Sequence, residues 1–295
     1  MQQLRLRRPE WILTGFFAYV VLLAPFFRDR TELGIQPLLV LGTVLAFFWP
    51  LCQLSSGRLG KGIEVARDWL PLLLTLVAFR EMELFLTRNY NLAYETAWIQ
   101  LDQLLLNEWR LRAAIESLGK ALPFYLEICY LLVYGISTYC LAVLVAERAH
   151  TGKIDHHAID AFLTVYLLGT LGSYALFPFF PSEPPRYAFP DVAPPAAMTW
   201  ARQFNLWILS RATIHTGVFP SAHVSAAFSC AWGMFFVRAR RQRLCWALVA
   251  YAVSVSVATV YGRYHYAADV LAGFAVSLVA AGIVYGSRKY AGRKG

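Results

Sequence analysis

Phe219-Pro220-Ser221-Ala222-His223-Val224-Ser225 opens an apolar run that continues to Val237, and Tyr261-Gly262-Arg263-Tyr264-His265-Tyr266-Ala267-Ala268-Asp269 opens another that continues to Tyr285. Each block sets a histidine at the mouth of a run with the length and apolarity of a membrane span. A titratable group at that depth is costly and is retained where it is used. Upstream, Pro181-Ser182-Glu183-Pro184-Pro185-Arg186 closes a third apolar run. Three polar clusters at three span ends point to one composite site at a membrane surface.

The composition agrees with a membrane setting. The 295 residues are 58% hydrophobic and 15% charged, with mean hydropathy +0.47, whereas soluble domains are about a quarter charged. The net charge of +9 does not indicate a nucleic-acid partner. The basic residues sit in short clusters between apolar runs, where they orient spans. The cysteines, Cys52, Cys129, Cys140, Cys230 and Cys245, lie in or beside apolar runs without CxxC or zinc-ligand spacing, so neither disulfides nor a metal site is expected. The first run lacks a small-residue cleavage site and is expected to stay as a span.

Eight runs approach the ~20 residues that cross a bilayer: 11–27, 37–54, 69–86, 122–146, 159–180, 222–237, 244–261 and 266–285. The expected fold is all-α, a polytopic transmembrane helix bundle with two N-terminal helices over 1–66 and a six-helix core over 67–290. The third run carries Arg80, Glu81 and Glu83 near its end, so an interfacial helix is the alternative there. Eight crossings from a cytoplasmic N-terminus place Arg5, Arg7, Arg8, Arg58, Lys61, Arg67, Arg148, Lys153 and the arginines of 238–243 on one side, as the positive-inside rule requires. All three motif clusters then fall on the opposite, extracytoplasmic face. Segment 87–121, with Asn89-Tyr90-Asn91, contains an amphipathic stretch, 98–118, in which Leu104, Leu105, Trp109, Leu111 and Ile115 suit a helix lying on the interface. Segment 181–220 begins Pro-rich and reads as helical over 200–209.

His265 and Asp269 lie four apart and share a helix face. The carboxylate can accept one ring N–H, fix the tautomer and raise the nucleophilicity of the other nitrogen; a His–Asp pair that only braces a span is the other reading. Pro220 and Ser221 suit a helix start, with Ser221 as cap. The N–H groups of Ala222 and His223 then form an anion site at the positive end of the dipole, and His223 can give a proton to a leaving oxygen. Arg186, stiffened by Pro184-Pro185, and Arg263 can each grip phosphate. Arg202, Arg211 and His215 read as loop residues, and His150, His156 and His157 as solvated. Tyr261, Tyr264 and Tyr266 read as an interface belt. Glu127, inside a span, is either functional or paired with another span. Phosphoryl transfer needs little beyond such positioning and charge stabilisation. No Asp/Glu cluster calls for magnesium, so metal-independent chemistry without a cofactor is expected.

On these residues the chain resembles the type 2 phosphatidic acid phosphatase superfamily, whose second and third signatures usually read PSGH and SRxxxxxHxxxD. Here they read Pro220-Ser221-Ala222-His223 and His265-xxx-Asp269. Arg186 alone represents the first signature, KxxxxxxRP, because Phe179 occupies the lysine position; Thr259 stands at the arginine position of the third, and Arg263 is the candidate substitute. The Pro-Pro-Arg block and the extra spans before a six-span core look more like the inositol phosphorylceramide synthase branch than like the undecaprenyl-pyrophosphatase branch. The resemblance implies that His265 is a nucleophile forming a phosphohistidine, that Asp269 orients it and that His223 protonates the leaving alkoxide. Arg186, Ser221 and Ala222 would hold the phosphoryl oxygens of a lipid phosphate or phospholipid. A catalytically inactive lipid-binding or transport protein on the same fold is the competing expectation, resting on the displaced cradle arginine.

The topology is testable in intact cells. A cysteine placed within 181–220 at a loop position is expected to label from outside and one placed within 238–243 is not; the reverse pattern overturns the orientation.

Overall fold

The computed structural model describes residues 6–27, 33–54, 60–85, 92–147, 154–212, 214, 217–238 and 242–291. Among the described residues the regular elements are helices, and an isolated bridge joins Ser182 to Gly217. Hydrocarbon offers no partner to a free backbone N–H or C=O, so apolar runs bond internally as helices. Thirteen α-helices are described. They are α1 Arg8–Leu23, α2 Gln36–Leu54, α3 Gly60–Met82, α4 Ala93–Gln103, α5 Leu111–Glu116, α6 Ala121–Leu132 and α7 Ile136–Ala146, followed by α8 His156–Leu176, α9 Pro185–Ala188, α10 Trp200–Ala212, α11 Ala222–Arg238, α12 Gln242–Tyr261 and α13 Ala267–Ala291.

Among the described residues five helices are long and apolar enough to cross a membrane: Arg8–Phe27, Gln36–Leu54, His156–Phe179, Gln242–Tyr261 and Ala267–Ser287. Three of the eight expected spans differ from a straight helix of that kind. The run 122–146 folds as α6 and α7, bent by 68° at a break before Ile136. Helix α3 is long but carries Glu64, Arg67, Asp68, Arg80 and Glu81, which takes it out of the apolar set. Helix α11 is apolar but shorter, over Ala222–Val237. The amphipathic stretch is likewise interrupted: α4 passes into a π turn, Leu104–Glu108, before α5.

The charges of α3 have partners. Arg67 donates from Nε and Nη2 to the two carboxylate oxygens of Glu10 at 2.6 and 2.7 Å. Arg7 binds Asp68 at 2.6 Å and also pairs with Glu64. His156 Nδ1 meets Asp68 at 2.9 Å, so this histidine belongs to an ionic cluster rather than to solvent; His150 lies outside the described residues. Burial of these groups is sustained only by such pairing. The cluster ties the starts of α1 and α8 to α3. Helix α8 runs from it to the loop bearing Arg186, at the opposite end of the bundle. A cavity of about 810 Å³ lined by Arg7, Asp160, Phe236 and Val284 sits at the ionic end, away from the two motif histidines.

At the centre α8 packs against α11, with α13, α3 and α1 around α8 and with α12, α13 and α7 around α11. Small residues let α8 and α11 approach: Gly169 faces Ser225 and Ser229, and Gly233 faces Phe162. Ser225 Oγ also donates to the Gly169 carbonyl at 2.9 Å. Small residues at such a seam allow the close backbone packing that replaces hydrophobic driving force inside lipid. A Cβ on Gly169 would collide with Ser229 Oγ and lie 3.0 Å from Ser229 Cβ. Gly169→Ala should therefore destabilise the detergent-solubilised protein by about 1–3 kcal/mol, the range for overpacking, and Ser229→Ala in the same chain should recover part of the loss. Thermal unfolding of the single and double variants checks this; equal melting of Gly169→Ala and the parent rules the seam out as a constraint.

Candidate active site

Two helix starts meet to form the site. Ser221 caps α11, its Oγ accepting from Val224 N at 3.4 Å. Its own N–H donates to the Asp269 carbonyl in the first turn of α13 at 3.0 Å. That approach needs Gly273, because a Cβ there would collide with the Ser221 carbonyl. Ala222 and His223 stand in the first turn of α11, where N–H groups have no carbonyl one turn earlier to bond.

The junction sets His223 against His265. His265 Nε2 lies 3.2 Å from His223 Nδ1. On its other side, His265 Nδ1 faces the Val218 carbonyl at 3.1 Å and Asp269 Oδ2 at 3.2 Å. Two acceptors assign the proton to Nδ1, which leaves the Nε2 lone pair toward His223. Asp269 is fully buried, and its Oδ2 also accepts from Tyr266 N at 2.9 Å. Burial, and after it the charge of Arg186, push the His265 ring down to about 3, the Val218 bond opposing. The ring is neutral over the physiological range, as a nucleophile must be.

Arg186 and Arg263 divide the tasks that the sequence assigned to both. Arg186 projects from the one-turn helix α9 with its guanidinium 4.5 Å from the Tyr187 ring centre and 5.8 Å from that of Tyr264. Its Nε and Nη2 are buried without a hydrogen-bond partner among the described residues. Arg263 instead turns away from the histidines. It donates to the carbonyls of Pro185 at 2.7 Å, Phe189 and Val192, and its φ of 61° lies in the left-handed region, a cost of about 1–2 kcal/mol for a residue with a Cβ. Those carbonyls flank Arg186, so Arg263 is a clamp on the loop that presents Arg186. The expectation that Arg263 faces phosphate is corrected accordingly. Thr259, at the family's arginine position, supplies the carbonyl that accepts from Tyr264 N and His265 N at 2.9 and 3.1 Å.

An aromatic wall supports His223. Tyr130 stacks on its ring at 5.1 Å, and Tyr134, at the break between α6 and α7, meets it edge-on at 5.3 Å. Tyr264 stacks on Tyr130 at 4.1 Å and donates its hydroxyl to Glu127 at 2.6 Å. Glu127 also binds Arg202 at 2.8 Å and Asn205 at 2.8 Å. Glu127 is thus paired with α10 and the Tyr264 turn. Arg202 is a buried ion-pair member rather than a loop charge. Tyr261, Tyr264 and Tyr266 are inside the protein, at most 2% exposed, rather than in an interface belt. The spacing of Glu127, Tyr130 and Tyr134, three then four, was the sequence signal for a common face.

Helix α4 straps the motifs together, which the sequence did not reveal. Trp98 stacks on Phe219 at 4.8 Å and leans on Tyr266 at 5.6 Å. Glu95 accepts from Glu183 N at 3.2 Å, and Asp102 caps α13 by accepting from Ala267 N at 2.8 Å. Burial pushes the Asp102 carboxyl up to about 7; the Ala267 bond opposes this, Asp269 adds to it and Arg263 opposes it. His215 and Thr216, and Asn89-Tyr90-Asn91, lie outside the described residues.

Comparison with known proteins returns one assignment. A family model described as the PAP2 superfamily matches residues 97–283, a stretch that runs from α4 into α13 and contains every motif residue above. No curated protein and no solved structure matches the chain.

Asp102 gives this site a measurable pH signature. The folded protein holds the Asp102 proton more tightly than an unfolded chain, whose carboxyl titrates near 3.8. Its contribution to stability is therefore full below 3.8 and is lost as pH rises to about 7. Asp102→Asn keeps an oxygen for the Ala267 N–H and cannot ionise, so thermal unfolding in detergent should show a flatter pH dependence across that window than the parent. Asp102→Ala loses the cap and should cost about 1 kcal/mol at every pH. Parallel pH curves for the parent and Asp102→Asn would refute the assignment.

Proposed function

Because the chain belongs to the PAP2 superfamily, we propose that it is a membrane-embedded phosphoryl-transfer enzyme acting on lipid phosphates or phospholipid headgroups through a phosphohistidine. The observation that carries this reading is the juxtaposition of a neutral, Asp269-oriented His265 with His223 at 3.2 Å, beside an arginine whose buried guanidinium nitrogens bind nothing among the described residues. A bracing arginine would bond its Nε and Nη2 within the protein; those of Arg186 make no such bond among the described residues.

In this mechanism a phosphoryl group enters between the two rings and replaces their direct bond. His265 Nε2 attacks phosphorus as the ester P–O bond breaks opposite it. His223 delivers a proton to the departing alkoxide, and Asp269 with the Val218 carbonyl holds the Nδ1–H while charge builds on the ring. Arg186 and the first-turn N–H groups of α11 hold the non-bridging oxygens, where transition-state charge accumulates. In the second half, His223 takes a proton from water or from a lipid or polyol hydroxyl, whose oxygen attacks phosphorus and breaks the P–N bond. Water yields a phosphatase. An alcohol yields a phosphotransferase of the inositol phosphorylceramide synthase type, the branch favoured by the Pro184-Pro185-Arg186 block. Helices α1 and α2 then flank a catalytic core that begins with α3, Gly60–Met82, so the expected boundary at 66/67 falls inside that helix; the site faces the extracytoplasmic side, opposite the arginines of 238–243.

Phosphate release from a lipid phosphate by purified protein, with and without candidate alcohols, separates the two outcomes. His265→Ala should abolish turnover and the trapping of an acid-labile, base-stable phosphoenzyme. Asp269→Asn should keep the fold and lose ~10²–10⁴ in rate, by analogy with the orienting acid of a triad. Vanadate should inhibit, and Arg186→Ala should weaken that inhibition, because the cradle is built for the transition state. Arg263→Ala should lower the rate by loosening the Arg186 loop. Undiminished turnover in His265→Ala refutes the mechanism.

A further inference from the structure

Helix α10 exposes large aromatic side chains as well as burying apolar ones. Its inner face mixes Ala201 and Leu209 with two polar groups, Arg202 and Asn205, that are buried and bonded to Glu127. Its outer face carries aromatics, with Trp200, Phe204 and Trp207 exposed by 61%, 43% and 53%. Residues 200, 204, 207 and 211 share that face by helical spacing. At its end the Arg211 guanidinium lies 5.2 Å from the Trp207 ring centre. Gln203 and Ser210 lie on the same side, and the Ser210 hydroxyl is already satisfied by the Trp207 carbonyl at 2.8 Å. A soluble amphipathic helix turns its apolar stripe inward, and a contiguous exposed apolar patch marks a contact surface.

The surroundings select the occupant. Helix α10 packs on α6, the first half of the bent span, and Trp200 meets Phe124 of α6 at 5.4 Å. The outward residues of α6, Tyr125 and Leu132, are themselves 49% and 55% exposed, so the aromatic stripe continues a surface that faces lipid. Tryptophan is enriched where hydrocarbon meets headgroup, and a terminal arginine reaches from such a position to lipid phosphates. We propose that α10 lies in the headgroup–acyl boundary of the bilayer, with Trp200, Phe204 and Trp207 among phospholipid chains and Arg211 at the headgroups. Its opposite face grips Glu127, and Glu127 holds Tyr264, the residue before His265. The lipid surface therefore braces the turn that carries the candidate nucleophile.

The test reads no turnover, so it stands apart from the proposed reaction. Fluorotryptophan is incorporated into the full chain in phosphatidylcholine nanodiscs, and Trp200→Phe and Trp207→Phe assign the two fluorine resonances. Unchanged resonances from the remaining tryptophans report that each variant folds. A nitroxide on the lipid acyl chain should erase both signals, and a water-soluble gadolinium chelate should leave both. Signals erased by the chelate and spared by the nitroxide would place the face in water and overturn the proposal. Signals spared by both reagents would overturn it equally, by assigning the face to a second copy of the chain or to another protein surface.

Discussion

The contact on which the site depends is the 3.0 Å bond from Ser221 N to the Asp269 carbonyl. It brings the starts of α11 and α13 together, and with them His223, two residues past Ser221, and His265, four residues before Asp269. Both helices direct the positive ends of their dipoles at this junction. The repulsion between them is unfavourable in itself and becomes favourable when an anion sits between, which suits a phosphoryl group. The closeness depends on Gly273, where any side chain would strike the Ser221 carbonyl. A residue with no side chain thereby sets the distance between the two candidate histidines.

Buried charge holds this junction in register with the rest of the bundle. At one end, Arg7, Glu10, Arg67, Asp68 and His156 bind α1, α3 and α8 together. At the other, Glu127 gathers α6, α10 and the Tyr264 turn through Arg202, Asn205 and Tyr264. Removing one member of a buried ion pair costs about 3–5 kcal/mol, because the survivor is left desolvated and unpaired. Each cluster therefore specifies one arrangement of helices sharply, whatever its net contribution to stability. The Glu127 cluster also reaches the chemistry: Tyr264 stacks on Tyr130, and Tyr130 on His223.

The loop carrying Arg186 is held in a different way, through backbone carbonyls. Arg263 accepts a left-handed backbone and directs its guanidinium at Pro185, Phe189 and Val192. One arginine is consumed in fixing another, so the proposed cradle rests on Arg186 and on backbone N–H groups. Helix α4 closes the arrangement from above, with Glu95, Trp98 and Asp102 each touching a different motif segment. Charge in the proposed cradle is thus sparse, and its placement relies on groups outside that cradle.

Much of this was legible along the chain. Apolar runs determine helices in a membrane because each residue's transfer free energy and each backbone bond are local quantities. Ser221 as a cap and the His265–Asp269 pairing are local for the same reason, although His265 reaches Asp269 from the turn before α13 and not from a shared helix face. Other features were decided only by tertiary structure. The 68° bend between α6 and α7 leaves no mark on hydropathy, since Val133, Tyr134 and Gly135 remain compatible with an apolar run. Arg202 reads as a loop charge until Glu127, in another helix, is placed beside it. Arg263 and Arg186 are alike as residue types, and only their neighbours separate a clamp from a guanidinium whose Nε and Nη2 have no hydrogen-bond partner among the described residues. Asp102 lies in an amphipathic stretch with no motif around it, yet it caps the helix that bears Asp269. The sequence by itself determined which apolar runs are helices and which residues are the candidates for chemistry, because those follow from side-chain identity and short-range spacing. Which polar group meets which was decided by how the helix faces pack, since hydrogen bonds and ion pairs act over a few ångströms between segments far apart in the chain.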